Sequence, residues 1–102
     1  MNTLNELREK SIILDKKLTD LEVYIEIAIK NGGISNAKRK INNLIVKVKN
    51  LQEKIYALLV KDQQEEDFTE AYQTLLLFDF SLKIENKLHK IIERKLYKTG
   101  LF

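Results

Sequence analysis

His89 is the only histidine, and Glu85 and Glu93 flank it at a distance of four residues on each side. Residues four apart lie on the same face of a helix, so one imidazole and two carboxylates could meet a metal ion there. His89 also shares its helical position with Leu82 and Leu96, which favours a partly buried histidine that hydrogen-bonds Glu85. We therefore predict no metal site and no other cofactor.

Residue types that build a nucleophilic or phosphate-binding site are scarce. A nucleophilic site needs a cysteine or serine near a histidine that a carboxylate holds, and this chain offers no cysteine, three serines and one histidine. Gly32 and Gly33 match neither the dinucleotide-binding nor the P-loop glycine pattern. We expect a protein that is not an enzyme.

A row of cations near the carboxyl end is the clearest surface pattern. Its members are three or four residues apart and form one basic stripe on a single helical face: Lys83, Lys87, Lys90, Arg94 and Lys98. Such a stripe could meet phosphates, anionic lipid or an acidic protein groove, or it could be only a solvated face. Few aromatic side chains interleave with the lysines, which disfavours base stacking.

Apolar residues in the first and last thirds of the chain exceed what a single three-helix seam can cover: Ile12, Ile13, Val23, Ile27, Leu76, Leu77 and Phe80. We therefore expect either a homodimer or a monomer with an exposed apolar patch. The predicted partner-binding surface combines the basic stripe with three of these apolar residues: Leu76, Leu77, Phe80, Lys83, Lys87, Lys90, Arg94 and Lys98.

Two ladders of apolar residues on either side of Gly32 and Gly33 must position these side chains. The first ladder steps in threes and fours, with Ser11 as its one polar member, through Leu4, Leu7, Leu14, Leu18, Leu21, Ile25 and Ala28. The second has no polar member and runs through Ile34, Ala37, Ile41, Leu44, Val48, Leu51, Ile55 and Leu58. This spacing predicts two helices that pack along a narrow seam, joined by a glycine hairpin, with Ser35 as the N-cap of the second.

A third helix is predicted from Phe68 onward. Its buried row is expected to rotate near Phe80 and Ser81, from Ala71, Leu75, Phe78 and Leu82 to Ile84, Leu88, Ile91 and Ile92. Because no glycine or proline interrupts it, one long helix with a stutter is favoured. We predict a single all-α domain, an antiparallel up-down-up three-helix bundle with long helices at about 4–30, 35–61 and 68–98. A four-helix bundle with a break near residues 79–81 is the alternative.

Charge is distributed in blocks within a net charge of +3, with an excess of cations over residues 31–61 and of anions over residues 62–80. The seam register sets one row of lysines against the first helix, with Lys40, Lys47, Lys54 and Lys61 facing Tyr24, Lys17 and Lys10. Like charges in such a row are destabilising. We expect acids of the later chain to compensate, among them Asp62, Glu70, Asp79, Glu85 and Glu93.

The run from Leu7 to Leu21 resembles the first helix of the all-helical chorismate mutases, with Arg8 at the place of that family's first arginine. The likeness ends where that family has a second arginine and a lysine, because Tyr24, Ile25 and Ile29 stand thereabouts. In size, basic charge and helical character the chain is similar to the small bacteriocin-immunity proteins of low-GC bacteria.

These observations lead to one expected function and one alternative. We expect a small bacterial or phage protein that acts through protein-protein interaction, as an inhibitor, immunity protein or adaptor. The alternative is a protein that binds nucleic acid or an anionic membrane surface through the basic stripe. No signal peptide and no membrane-spanning run is visible, so the expected location is the cytoplasm.

Overall fold

A computed structural model describes residues 3–62 and 68–97 of the chain. It contains three long helices, α1 (Thr3–Asn31), α2 (Ile34–Asp62) and α3 (Thr69–Ile92), and α3 continues into a π-helical turn at Glu93–Tyr97. Each helix packs against the other two, with α1 and α2 antiparallel and α1 and α3 parallel. The predicted up-down-up three-helix bundle is confirmed. The four-helix alternative is wrong, because α3 runs without a break across residues 79–81.

The core is the seam predicted for the first two helices. Every member of the α1 ladder is buried, and so are the α2 members from Ala37 to Ile55. Leu58 is partly buried against the same cluster. Because each helix offers the bundle one narrow row at alternating three- and four-residue steps, the three rows meet along the bundle axis.

The hairpin between α1 and α2 depends on Gly32. This residue has a φ of +82°, in the left-handed region that other residues rarely adopt. The Gly33 N–H donates to the Ala28 carbonyl oxygen at 3.0 Å, which is the long bond of a Schellman motif. The Gly33 carbonyl oxygen then accepts from the Ala37 N–H, so Gly33 holds the N-cap position of α2. The prediction of Ser35 as N-cap is therefore wrong, since Ser35 lies inside the first turn.

The buried row of α3 differs from the prediction. It runs straight along one face, with no rotation near Phe80 and Ser81, through Ala71, Thr74, Leu77, Ser81, Ile84, Leu88 and Ile91. Leu75 and Leu82, which were expected in this row, are exposed. The row includes two polar residues, Thr74 and Ser81. Because the prediction considered only apolar residues, it left these two out and assigned the neighbouring Leu75 and Leu82 to the row instead.

Hydrogen bonds explain why polar residues are tolerated in the seam. Ser11 Oγ donates to the Leu7 carbonyl oxygen at 2.8 Å, and Ser81 Oγ donates to the Phe78 carbonyl oxygen at 2.6 Å. Thr74 Oγ1 donates at 2.7 Å to Oδ2 of the buried Asp62, at the end of α2. Across the described residues, no buried side-chain nitrogen or oxygen lacks a hydrogen-bond partner. The desolvation cost of these groups is therefore offset locally.

We predict that Leu18→Ala and Leu44→Ala each lower the free energy of unfolding by about 2 to 5 kcal/mol, because each removes buried side-chain volume from the seam. Lys16→Ala on the exposed face of α1 is the control and should cost less than about 0.5 kcal/mol. Urea unfolding of the three variants gives the comparison. Equally small losses would contradict the assigned register.

We predict that Thr74→Val lowers the free energy of unfolding by about 1 to 3 kcal/mol, since it leaves the buried Asp62 carboxylate without this donor. In an Asp62→Ala background the same change should cost much less, because no acceptor remains. A double-mutant cycle measured by denaturant unfolding yields the coupling between the two residues. Additive losses would show that this hydrogen bond does not contribute to stability.

Candidate functional site

The environment of His89 differs from the prediction. It is exposed on α3, and the described residues show no hydrogen bond between it and Glu85. The prediction of a partly buried histidine is therefore wrong, and the reason is the straight course of the buried row through Ile84, Leu88 and Ile91. No group of three or more His, Cys, Asp or Glu side chains within the described ranges is close enough together to hold a metal ion.

The basic stripe is only partly a free surface. Lys87 Nζ lies 3.1 Å from Asp15 Oδ1 and 2.8 Å from Thr19 Oγ1, so this lysine joins α3 to α1. Lys83 Nζ lies 3.5 Å from Asp79 Oδ2, one turn earlier on α3. Lys90 and Arg94 are exposed, whereas Lys98 lies outside the described residues. Within this part of the chain, two of the four described stripe residues therefore have a carboxylate partner.

A groove of about 240 Å³ runs between α1 and α3 beside the stripe. Its lining includes the four described stripe residues and Lys95, with Glu22 of α1 as an acidic member. This arrangement could accept a small anionic group at its mouth, where Lys90 and Arg94 are exposed. The groove joins the stripe to α1, which is a connection that the linear spacing of the lysines does not reveal.

A second ion pair connects the end of the chain to α1. Lys95, within the π-helical turn, donates to Glu26 Oε1. This hydrogen bond lowers the pKa of Glu26, and the positive charge of Lys95 and, to a smaller extent, Lys30 acts in the same direction. The bond to Glu26 raises the pKa of Lys95, with a further contribution from the charge of Glu22. Both shifts in pKa show that the charged forms of Glu26 and Lys95 stabilise each other.

The apolar half of the predicted partner surface is divided by the fold. Leu77 belongs to the buried row, so its assignment to an exposed surface is wrong. Phe80 is partly buried and packs against the core, and Leu76 is exposed. Leu76 continues an outward apolar face that sequence reasoning missed because Leu75 was assigned to the interior. We call this set the apolar face of α3: Phe68, Tyr72, Leu75 and Leu76.

Among the described residues, the lysines that face α1 across the hairpin do not have the expected acidic partners, and the acids of residues 63–67 lie outside that part of the chain. Asp79 pairs with Lys83, and Asp62 accepts from Thr74. Lys40 instead lies over the ring of Tyr24, with Nζ 4.9 Å from its centroid. The proximity of the Lys17 ammonium group, and then its positive charge, lower the pKa of Lys47. Along the described part of the chain, the positive charges of this lysine row are therefore not neutralised by a salt bridge.

We predict that Lys95→Met raises the pKa of Glu26 toward its ordinary value, because the hydrogen bond to Glu26 is the largest cause of its lowering. A carboxylate with a lowered pKa in the folded state stabilises the protein above the ordinary glutamate pKa of about 4.3, and this contribution is lost as the pH falls through the lowered pKa. The stability difference between wild type and Lys95→Met should therefore shrink in acid.

An NMR titration of the Glu26 side chain measures this shift directly. Lys30→Met is the matched control, since Lys30 acts on Glu26 only through its charge and should change the pKa less. Identical Glu26 titration curves in wild type and Lys95→Met would contradict the assigned pair.

Comparison with known proteins does not extend these observations. No family model, no curated protein and no solved structure matches this chain. Among the described residues, no helix is both long and apolar enough to cross a bilayer. The chemistry of the exposed surfaces is therefore the basis for assigning a function.

Proposed function

We propose that this chain is a non-catalytic bacterial or phage protein of the inhibitor, immunity or adaptor type, which binds a protein partner through the apolar face of α3. The proposed place of action is the cytoplasm. A second copy of the chain is one possible partner, which would make the protein a homodimer.

The exposure of the apolar face is the observation that carries this proposal. Phe68, Tyr72, Leu75 and Leu76 are 63%, 60%, 51% and 47% exposed. Their spacing sets them on one side of the first turns of α3, opposite the buried Ala71, Thr74 and Leu77. Contiguous apolar surface of this kind is costly in water and commonly marks a protein-binding site.

Helix-face recognition suits this geometry. Side chains at spacings of three, four and seven residues are the usual anchors when a helix docks in a partner's groove. Large aromatic and aliphatic side chains supply most of the binding energy in such contacts. The two aromatic residues lie at the beginning of the face and the two leucines follow one turn later, so the anchors occupy about two turns of helix.

Anion binding by the basic stripe is the second candidate function. The exposed Lys90 and Arg94 beside the groove between α1 and α3 favour it. The salt bridges of Lys83 with Asp79 and of Lys87 with Asp15 weigh against it, because phosphates would have to compete with these carboxylates. Protein binding is therefore the better supported of the two.

We predict that Tyr72→Gln with Leu76→Gln abolishes capture of the partner from a lysate of the native host, because the double change removes two adjacent anchors. Val23→Gln with Ile27→Gln is the matched control, since these two residues are also four apart and about half exposed, but on α1. Capture of wild type should persist at high salt, because apolar contacts do not weaken as salt rises.

Sedimentation of the purified proteins determines whether the partner is a second copy. A wild-type dimer that the α3 variant converts to a monomer would identify self-association. Loss of capture in Lys90→Gln with Arg94→Gln, together with release of wild type between ~50 and ~200 mM salt, would instead identify the second candidate function.

A further inference from the structure

A second surface with unusual charge lies between α1 and α2. Two adjoining cavities of about 270 and 390 Å³ follow the hairpin there and share Lys17 and Lys47 in their linings. We call this surface the lysine groove and define it by its five cations: Lys10, Lys17, Lys40, Lys47 and Lys54. Asp20 is the one acid in the two linings.

The lysine groove lacks compensation within the described residues. None of its five lysines forms a salt bridge there, although α1 and α3 are joined by the Lys87–Asp15 and Lys95–Glu26 pairs. Lys17 and Lys47 line both cavities, and the proximity of the Lys17 ammonium group lowers the pKa of Lys47. Like charges across a helix pair reduce stability. A local rule broken in this way, in a bundle whose seam is otherwise consistent, is typical of a functional surface.

The spacing of the cations indicates the kind of ligand. Lys10 and Lys17 on α1, and Lys40, Lys47 and Lys54 on α2, recur every seven residues. Seven residues correspond to about 10.5 Å of helix. A helix with a heptad repeat presents its flanking side chains at this same interval. Acidic residues at such flanking positions would therefore face lysines on both walls.

The floor of the groove matches such a helix as well. Leu14 and Leu51 line one cavity, and Leu21 and Leu44 line the other, between the two rows of lysines. Ile13 is about half exposed at the edge and adds apolar surface. Phosphate backbones gain nothing from apolar side chains at the base of a groove, and nucleic-acid sites that stack bases use exposed aromatic side chains there. Tyr24, the one aromatic residue in the two linings, is partly buried, and Lys40 Nζ lies over its ring. The combination favours a protein ligand.

We infer that the lysine groove binds an acidic amphipathic helix of a partner protein, which packs as a fourth helix against α1 and α2. Apolar residues of that helix pack against Ile13 and against the aliphatic parts of the lysine side chains that line the groove. Its carboxylates neutralise the two rows of lysines. This binding site is separate from the apolar face of α3, so it is an addition to the proposed function.

The test uses a defined probe, a fluorescent peptide of about four heptads with leucine and isoleucine at the seam positions and glutamate at both flanking positions. Fluorescence anisotropy with the full chain should show saturable binding. Lys17→Gln with Lys47→Gln should weaken it by about tenfold or more, because the two cations contact the centre of the bound helix. Lys16→Gln with Lys49→Gln removes the same charge from exposed positions of the same helices and should leave binding unchanged.

Further probes separate the possible ligands. A peptide with glutamine in place of glutamate should not bind, and duplex DNA or vesicles containing phosphatidylserine should bind less tightly than the acidic peptide. Equal weakening in the two double variants, or tighter binding of DNA or vesicles than of the peptide, would overturn the inference. The Tyr72→Gln with Leu76→Gln variant should bind the peptide like wild type. The proposed binding at the lysine groove and the proposed binding at the apolar face of α3 are therefore tested independently.

Thermal stability provides an independent readout. In the free protein, Lys17→Gln with Lys47→Gln should raise Tm, because it removes the like-charge contact. With excess acidic peptide the order should reverse, since bound peptide stabilises only the folded wild type appreciably. A variant that is less stable than wild type in the absence of peptide would contradict the assigned repulsion.

Discussion

Each helix contributes one narrow row of residues to a shared seam, and the positions of these rows determine where all other side chains can lie. The rows of α1 and α2 alternate in steps of three and four, and the row of α3 does so from Thr74 onward. Residues beside a row then face a particular neighbour: Asp15 of α1 faces Lys87 of α3, and Lys17 of α1 faces Lys47 of α2. The charge pattern of the surface is therefore a consequence of the core.

Three polar residues lie at seam positions, and their presence shows that each row stays on one helical face even where no apolar residue is available. Ser11 and Ser81 occupy seam positions by donating to carbonyl oxygens of their own helices. Thr74 does so by donating to Asp62 of the neighbouring helix. The alternative, a rotation of α3 that buried Leu75 and Leu82 instead, would have moved Ile84 and Leu88 out of contact with the core. Keeping the row straight maintains the apolar contacts along the whole helix, while the hydrogen bonds compensate for the buried hydroxyls.

The seam of α1 and α2 could be predicted from sequence because its members are almost all apolar, and the glycines marked the hairpin. The buried row of α3 could not, since apolar periodicity treats Thr74 and Ser81 as surface residues. That one error placed Leu75 in the core, placed Leu77 on the surface and gave His89 a buried environment. The like-charge row on α2 was predictable from the heptad register. The lack of acidic partners for this row among the described residues was not, because the partners of Asp62 and Asp79 depend on three-dimensional contacts.

The tight glycine hairpin also has a consequence for the order in which the molecule folds. Packing of α1 on α2 begins beside the turn, where Gly33 already contacts Ala28, and can continue outward one heptad at a time. By contrast, the contact between Lys87 and Asp15 closes a separation of 72 residues, with a correspondingly larger entropic cost. Short-range contacts form quickly, and the long-range ones follow once their ends have been brought together. The contact between α2 and α3 at Asp62 and Thr74 closes a separation of only 12 residues. By this argument, the contacts between helices adjacent in the chain form first, and the contact between α1 and α3 forms last.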